Sequence, residues 1–131
     1  MSSLTDCEMM FGYCDNLESF NSNLSSLIGG DFMFYGCSKL TTFISDLGAL
    51  QYGMNMFSDC SLSTESLKNI ADTIYDFNAT SVQSRLGEGT GWIDIGLENT
   101  TPSELELTYI EKMQRKGWSV CINGTDMYEK Q

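Results

Sequence analysis

"MFGYCDNLESF" (residues 10–20) returns as "MFYGCSKLTTF" (residues 33–43) and begins again as "MFSDC" (residues 56–60), each copy 23 residues after the last. At that offset Met10, Met33 and Met56 fall in register, as do Phe11, Phe34 and Phe57, and Cys14, Cys37 and Cys60. Leu17 matches Leu40, Phe20 matches Phe43, Leu24 matches Leu47, and Leu27 matches both Leu50 and Leu4. The chain thus opens inside a unit, as a piece of a longer array would.

A period of 20–29 residues with leucine-like positions at fixed offsets is the pattern of stacked coils, in which each unit is too small to bury its own apolar side and does so against its neighbours. The apolar spacing fits neither a sustained helical period of 3.6 nor a strand period of 2, which disfavours a bundle of long helices. The expected fold is an α/β solenoid in one domain, residues 1–131: short coils over 1–62, then helix-strand-helix-strand coils and a cap over 63–131. Leu17 to Phe20 and Leu40 to Phe43 are the expected strand segments, stacked in parallel about 4.8 Å apart.

The unit M-F-x-x-C-x-x-L-x-x-F resembles the BspA-type leucine-rich repeat, in a variant with Met where the usual unit has Ala. The resemblance covers about residues 10–60. It implies a leucine-rich repeat solenoid and a binding or adhesion role, as in bacterial surface proteins and structural proteins of gut bacteriophages, and it carries no catalytic residues. The "KGW" turn at Lys116, Gly117 and Trp118 is similar to the closing segment of family members. A cell-surface or secreted location is implied by the resemblance alone, because the chain has no signal-peptide pattern.

After Cys60 the pattern changes. In "STESLKNIADTIYDF" the residues Leu67, Ile70, Ala71 and Ile74 share one helical face, with Ser63 or Thr64 as N-cap and Glu65 in the first turn. "WIDIGL" alternates Ile93, Ile95 and Leu97 with Asp94 and Gly96, as a half-buried strand does. "TPSE" reads as a capping box from Thr101 to Glu104, opening a helix that stops at Gly117. "WSVCI" then alternates Trp118, Val120 and Ile122 with Ser119 and Cys121 as a second half-buried strand.

Composition narrows the function. The chain has 131 residues, 41% of them hydrophobic, and a formal charge of −11 from 18 acids and 7 bases. That field repels nucleic acid and anionic lipid, and no apolar run is long enough for membrane insertion. Histidine is absent, which removes the commonest general base and every imidazole ligand. The five cysteines, Cys7, Cys14, Cys37, Cys60 and Cys121, contain no CxxC pair, so no metal or cofactor is expected. Cysteines at matched places in a stack have parallel side chains and read as apolar spacers, not disulfide partners. The repeated methionines read as core filler. "GEGTG" (residues 87–91) has a phosphate loop's glycines without its lysine. The four N-x-[ST] sites at Asn23, Asn78, Asn99 and Asn123 reflect a polar surface.

The chain is therefore expected to be no enzyme but a binding module for a protein or glycan ligand, because stacking turns one exposed position per coil into a continuous row. Glu18, Ser19, Thr41, Thr42 and Asp94, lying between apolar anchors in the expected strands, are the candidate contacts. The alternative is a structural or assembly component, in a virion or surface stalk, associating through the uncapped N-terminal coil.

Overall fold

A computed structural model describes residues 11–79 and 90–129. The readings placed on Leu4, Cys7, Met10 and most of the "GEGTG" stretch lie outside these residues. Eight elements follow in order: β1 (Ser19–Phe20), β2 (Thr42–Phe43), β3 (Gly53–Leu62), α1 (Thr64–Thr73), β4 (Trp92–Leu97), α2 (Glu104–Arg115), β5 (Ser119–Ile122) and β6 (Asp126–Tyr128).

The 23-residue offset is also the hydrogen-bonding register. β1 and β2 are parallel, with Ser19 beside Thr42 and Phe20 beside Phe43. Both strands are shorter than the four-residue segments expected. Elsewhere in each layer Gly29 bridges Tyr52 at the same offset, and the amides of Phe11 and Phe34 donate to the carbonyls of Met33 and Met56, each just before the matching phenylalanine of the next layer. Each layer bends at two tight turns. One is closed by Cys14 N–H to Phe11 and Cys37 N–H to Phe34, the other by Leu27 N–H to Leu24 and Leu50 N–H to Leu47.

The apolar positions interlock. Phe11, Phe34 and Phe57 form one stacked column with centroids 5.2 and 5.4 Å apart. Phe20 and Phe43 form a second column, 5.6 Å apart. Rings of the two columns meet edge to face at 4.9–5.5 Å, the arrangement that the ring quadrupole favours. Met33, Met56, Leu24, Leu27, Leu40, Leu47 and Leu50 are buried among them, and Leu17 is half-buried. The thiols repeat too: Cys37 donates to the carbonyl of Phe11 and Cys60 to that of Phe34, each 26 residues back. Cys37 and Cys60 are buried whereas Cys14 is half-buried, and burial pushes the Cys60 thiol up to about 12.

A less visible repeat lies in the backbone. Tyr13, Gly36 and Asp59 occupy the same place in three layers, and all have φ between 58° and 76°. Only Gly36 is free of the steric penalty, and a Cβ there would sit 2.7 Å from the Tyr13 ring.

In the third layer α1 stands where a third β1-like strand would come, so Ser66 is the register partner of Phe43. Ser66 Oγ accepts from Phe43 N–H at 2.8 Å and donates to Thr41 C=O at 2.7 Å, which satisfies the edge of β2. Ser63 is the N-cap, and Leu67, Ile70, Ala71 and Ile74 are buried.

The other side of the layers continues as a sheet of order β3-β4-β5-β6. β4 pairs in parallel with β3 and β5, and Trp92 lies beside Ser119. Two expectations need correction here. β4 and β5 are buried on both faces, not half-buried, since Asp94, Gly96, Ser119 and Cys121 are covered as well as the aliphatic residues. The cause at β4 is β3, which shifts register twice and carries left-handed Asn55 and Asp59, so that its backbone closes over β4. A Cβ on Gly96 would lie 2.5 Å from Cys60 O. The capping box of α2 is Ser103 with Glu106, not Thr101 with Glu104, because Glu106 is the acid that turns inward. Finally, β6 adds an antiparallel edge strand after a turn through Asn123 and Gly124, both at positive φ.

The helices lie side by side and are joined at both ends. Glu106 accepts from Ser103 N–H, Asn99 Nδ2 and Thr64 Oγ1. Burial opposes its charge, but those donors outweigh it and hold the carboxyl below its usual range. At the far ends, Lys116 Nζ donates to the carbonyls of Ala71, Asp72 and Ile74, closing the C-terminus of α1 with a cation. Burial lowers the pKa of that ammonium.

Candidate functional site

Four of the five residues singled out in the sequence come together. Ser19 and Thr42 are neighbours in the β1-β2 register and both are exposed. Glu18 is exposed beside them, and its carbonyl accepts from Thr41 and Thr42 N–H. Thr41 is half-buried, with Oγ1 directed at the same carbonyl. Asp94 belongs elsewhere: it lies in β4, in the other sheet, and is only 9% exposed. It does not extend the row, because β4 belongs to the other sheet and the Asp94 carboxylate is turned to Asn55 N–H of β3.

The row leads into a groove of about 670 Å³. Two residues along from Ser19 and Thr42, on the same side of each strand, stand Asn21 and Ile44, and the next residues of each layer, Ser22 with Asn23 and Ser45 with Asp46, complete the floor. The wall is α1, through Asn69, Asp72 and Thr73. A helix is about 10 Å across whereas an extended segment is far thinner. Replacing the third strand by α1 therefore leaves a step, and the groove is the inner corner of it.

Its lining is held in place. Asn23 Oδ1 accepts from Ser25 N–H and Asp46 Oδ1 accepts from Gly48 N–H, both at 2.8 Å, so matching turns recur one layer apart. Asn69 Nδ2 and Thr73 Oγ1 donate to Ser45 C=O, and Thr73 Oγ1 accepts from Leu47 N–H. Asn21 and Ser22, in contrast, make no side-chain hydrogen bond among the described residues. Ile44 adds an aliphatic surface, 40% exposed.

Asp72 is bridged by Lys68 at 2.8 Å and Lys112 at 2.6 Å. The hydrogen bond from Lys112 and then that from Lys68 hold its pKa down at about 2. It is therefore a fixed negative charge near neutral pH and no proton donor. Among the described residues no three Cys, Asp or Glu side chains gather as metal ligands do. A smaller cavity of about 380 Å³ touches Asp59, Gly96 and Asn123. The Asn123 amide is already committed there, to Leu97 N–H, Asn99 C=O and Thr100 C=O.

The groove was missed from the sequence, although half of it was in view. Asn21, Ser22 and Asn23 stand 23 residues before Ile44, Ser45 and Asp46, a matched run just after each strand. Its wall had no such mark. No protein-family model, curated protein or solved structure matches the chain.

Proposed function

We propose that the protein is a non-enzymatic binding module, a leucine-rich repeat solenoid of the BspA type, that holds a polar ligand across the Glu18-Ser19-Thr41-Thr42 row and the adjoining groove. The observation that carries this reading is the groove's lining: amide and hydroxyl groups at Asn21 and Ser22 that make no side-chain hydrogen bond among the described residues, beside an aliphatic face at Ile44 and a carboxylate at Asp46. Sugar hydroxyls, which both donate and accept, match amides and carboxylates, and the apolar face of a sugar ring matches an aliphatic side chain. Of a protein or a glycan ligand, the groove favours the glycan. The absence of histidine and the fixed ionisation of Asp72 favour binding over catalysis.

Binding of the intact chain to an array of neutral oligosaccharides is the test, with Asn21→Ala, Ile44→Ala and Thr42→Arg as variants. These positions are exposed, so melting temperatures should stay close to that of the parent. Loss of binding in the variants at unchanged stability is the expected result. Equal binding by parent and variants removes the groove from consideration. Association of the unliganded chain with itself, rising with concentration, would favour the assembly role instead.

A further inference from the structure

On the outer face of the four-stranded sheet a carboxylate is held in an unusual state. Asp94 Oδ2 accepts from Asn55 N–H at 2.6 Å and from Trp92 Nε1–H at 3.0 Å, whereas Oδ1 takes no hydrogen bond among the described residues. Both donors are neutral, and no lysine or arginine among those residues forms an ion pair with it. A carboxylate 9% exposed has lost most of its water, and a counter-ion would recover much of that cost.

The surroundings say what kind of cation fits. Side chains paired across a sheet point to the same face. Asp94 pairs with Cys121, which pairs with Met127, and one step along, Trp92 pairs with Ser119. Ser119 Oγ bonds Glu129 Oε2. Trp92, 36% exposed, is therefore on the face of Asp94, and Met127, 37% exposed, borders it. An indole face attracts cations, and donation of its N–H to a carboxylate enriches the ring. A flat guanidinium can stack on the indole while its N–H groups reach a carboxylate oxygen, which a compact ammonium cannot do equally well.

We infer that Trp92 and Asp94 form a docking site for an arginine side chain of a partner protein, independent of the groove. The guanidinium lies on the Trp92 ring, donates to Asp94 Oδ1, and is flanked by Met127 and the outer carboxylate of Glu129. The charge of −11 over the whole chain draws a basic partner toward it.

Acetyl-arginine amide is the probe, with the citrulline analogue as its uncharged match, followed by NMR at the Trp92 indole N–H. A saturable shift with the arginine probe and at least about tenfold weaker binding of the citrulline one is expected. Asp94→Asn should weaken arginine binding about tenfold or more. Should that variant unfold, Trp92→Leu, at an exposed position, decides the matter through chemical shifts of Met127 and Glu129: binding must fall by a similar factor. Asn21→Ala and Ile44→Ala must leave it unchanged. Equal binding of arginine and citrulline, or undiminished binding in a folded Asp94→Asn or Trp92→Leu protein, overturns the inference.

Discussion

The short layers up to Leu62 and the helical part from Thr64 onward solve one problem in two ways. Every layer must satisfy the backbone of the layer before it and cover its apolar side. In the first region like residues do this for like: Phe11 on Phe34 on Phe57, Cys37 against the carbonyl of Phe11 and Cys60 against that of Phe34. In the second, unlike residues do it. Ser66, Asn69 and Thr73 of α1 bond the edge that a strand would have paired, while Glu106 and Lys116 tie the two helices together at their ends. Repetition stabilises through packing, whereas the helical part relies on specific polar bonds, and the two should fail under different conditions.

The largest effect is expected at the centre of the repeated packing. Phe34 touches both columns of rings, so Phe34→Ala should cost about 3–5 kcal/mol, measured as the fall in urea midpoint at constant m-value. A loss below about 1 kcal/mol would mean that the rings are not the basis of the stack. Ser66→Ala, at the junction of the two regions, removes the acceptor of Phe43 N–H, while Thr41 C=O keeps its bond from Ser63 N–H, and should cost about 1–3 kcal/mol. Amide exchange at Phe43 should quicken while that at Phe20 does not. If both amides change together, the two regions are one cooperative unit at this boundary.

Acid should separate the regions more gently. The carboxyls of Asp72 and Glu106 have folded pKa values below their ordinary ones, so their contribution is present at neutral pH and disappears as pH falls through the folded values. For Asp72 that window runs from its ordinary value of 3.8 down to about 2. Amide protection in α1 and α2 should therefore weaken through this range before protection in the short layers does. Asp72→Asn should flatten the change, and an unaltered acid profile would show that its two lysine contacts contribute nothing to stability.

How much was legible follows the same division. Met33, Phe34, Cys37, Leu40, Leu47 and Leu50 sit in the core where the repeat placed them, because equivalent environments select equivalent side chains. The inward face of α1 and its Ser63 cap were legible, as caps and helical periodicity are local properties. The α2 cap was misplaced because two segments, Thr101 to Glu104 and Ser103 to Glu106, fit the same local rule, and burial of Glu106 chose between them. The "NG" at Asn123 and Gly124 could have announced the turn into β6. Asp94 was taken for an exposed residue because alternation records which side chains face the core and not what covers the opposite face.

The sequence by itself determined the 23-residue register, the residues that fill the inside of each layer and the polar run that forms the groove floor. Those are consequences of neighbours along the chain and of a repeat that applies one rule several times. Only the tertiary structure decided that α1 would stand beside that floor as a wall, that β3 would bend across β4, and that one oxygen of Asp94 would take no hydrogen bond among the described residues, beside an indole. Each of these depends on contact between segments far apart in sequence, where shape and hydrogen-bond supply, not residue pattern, select the outcome.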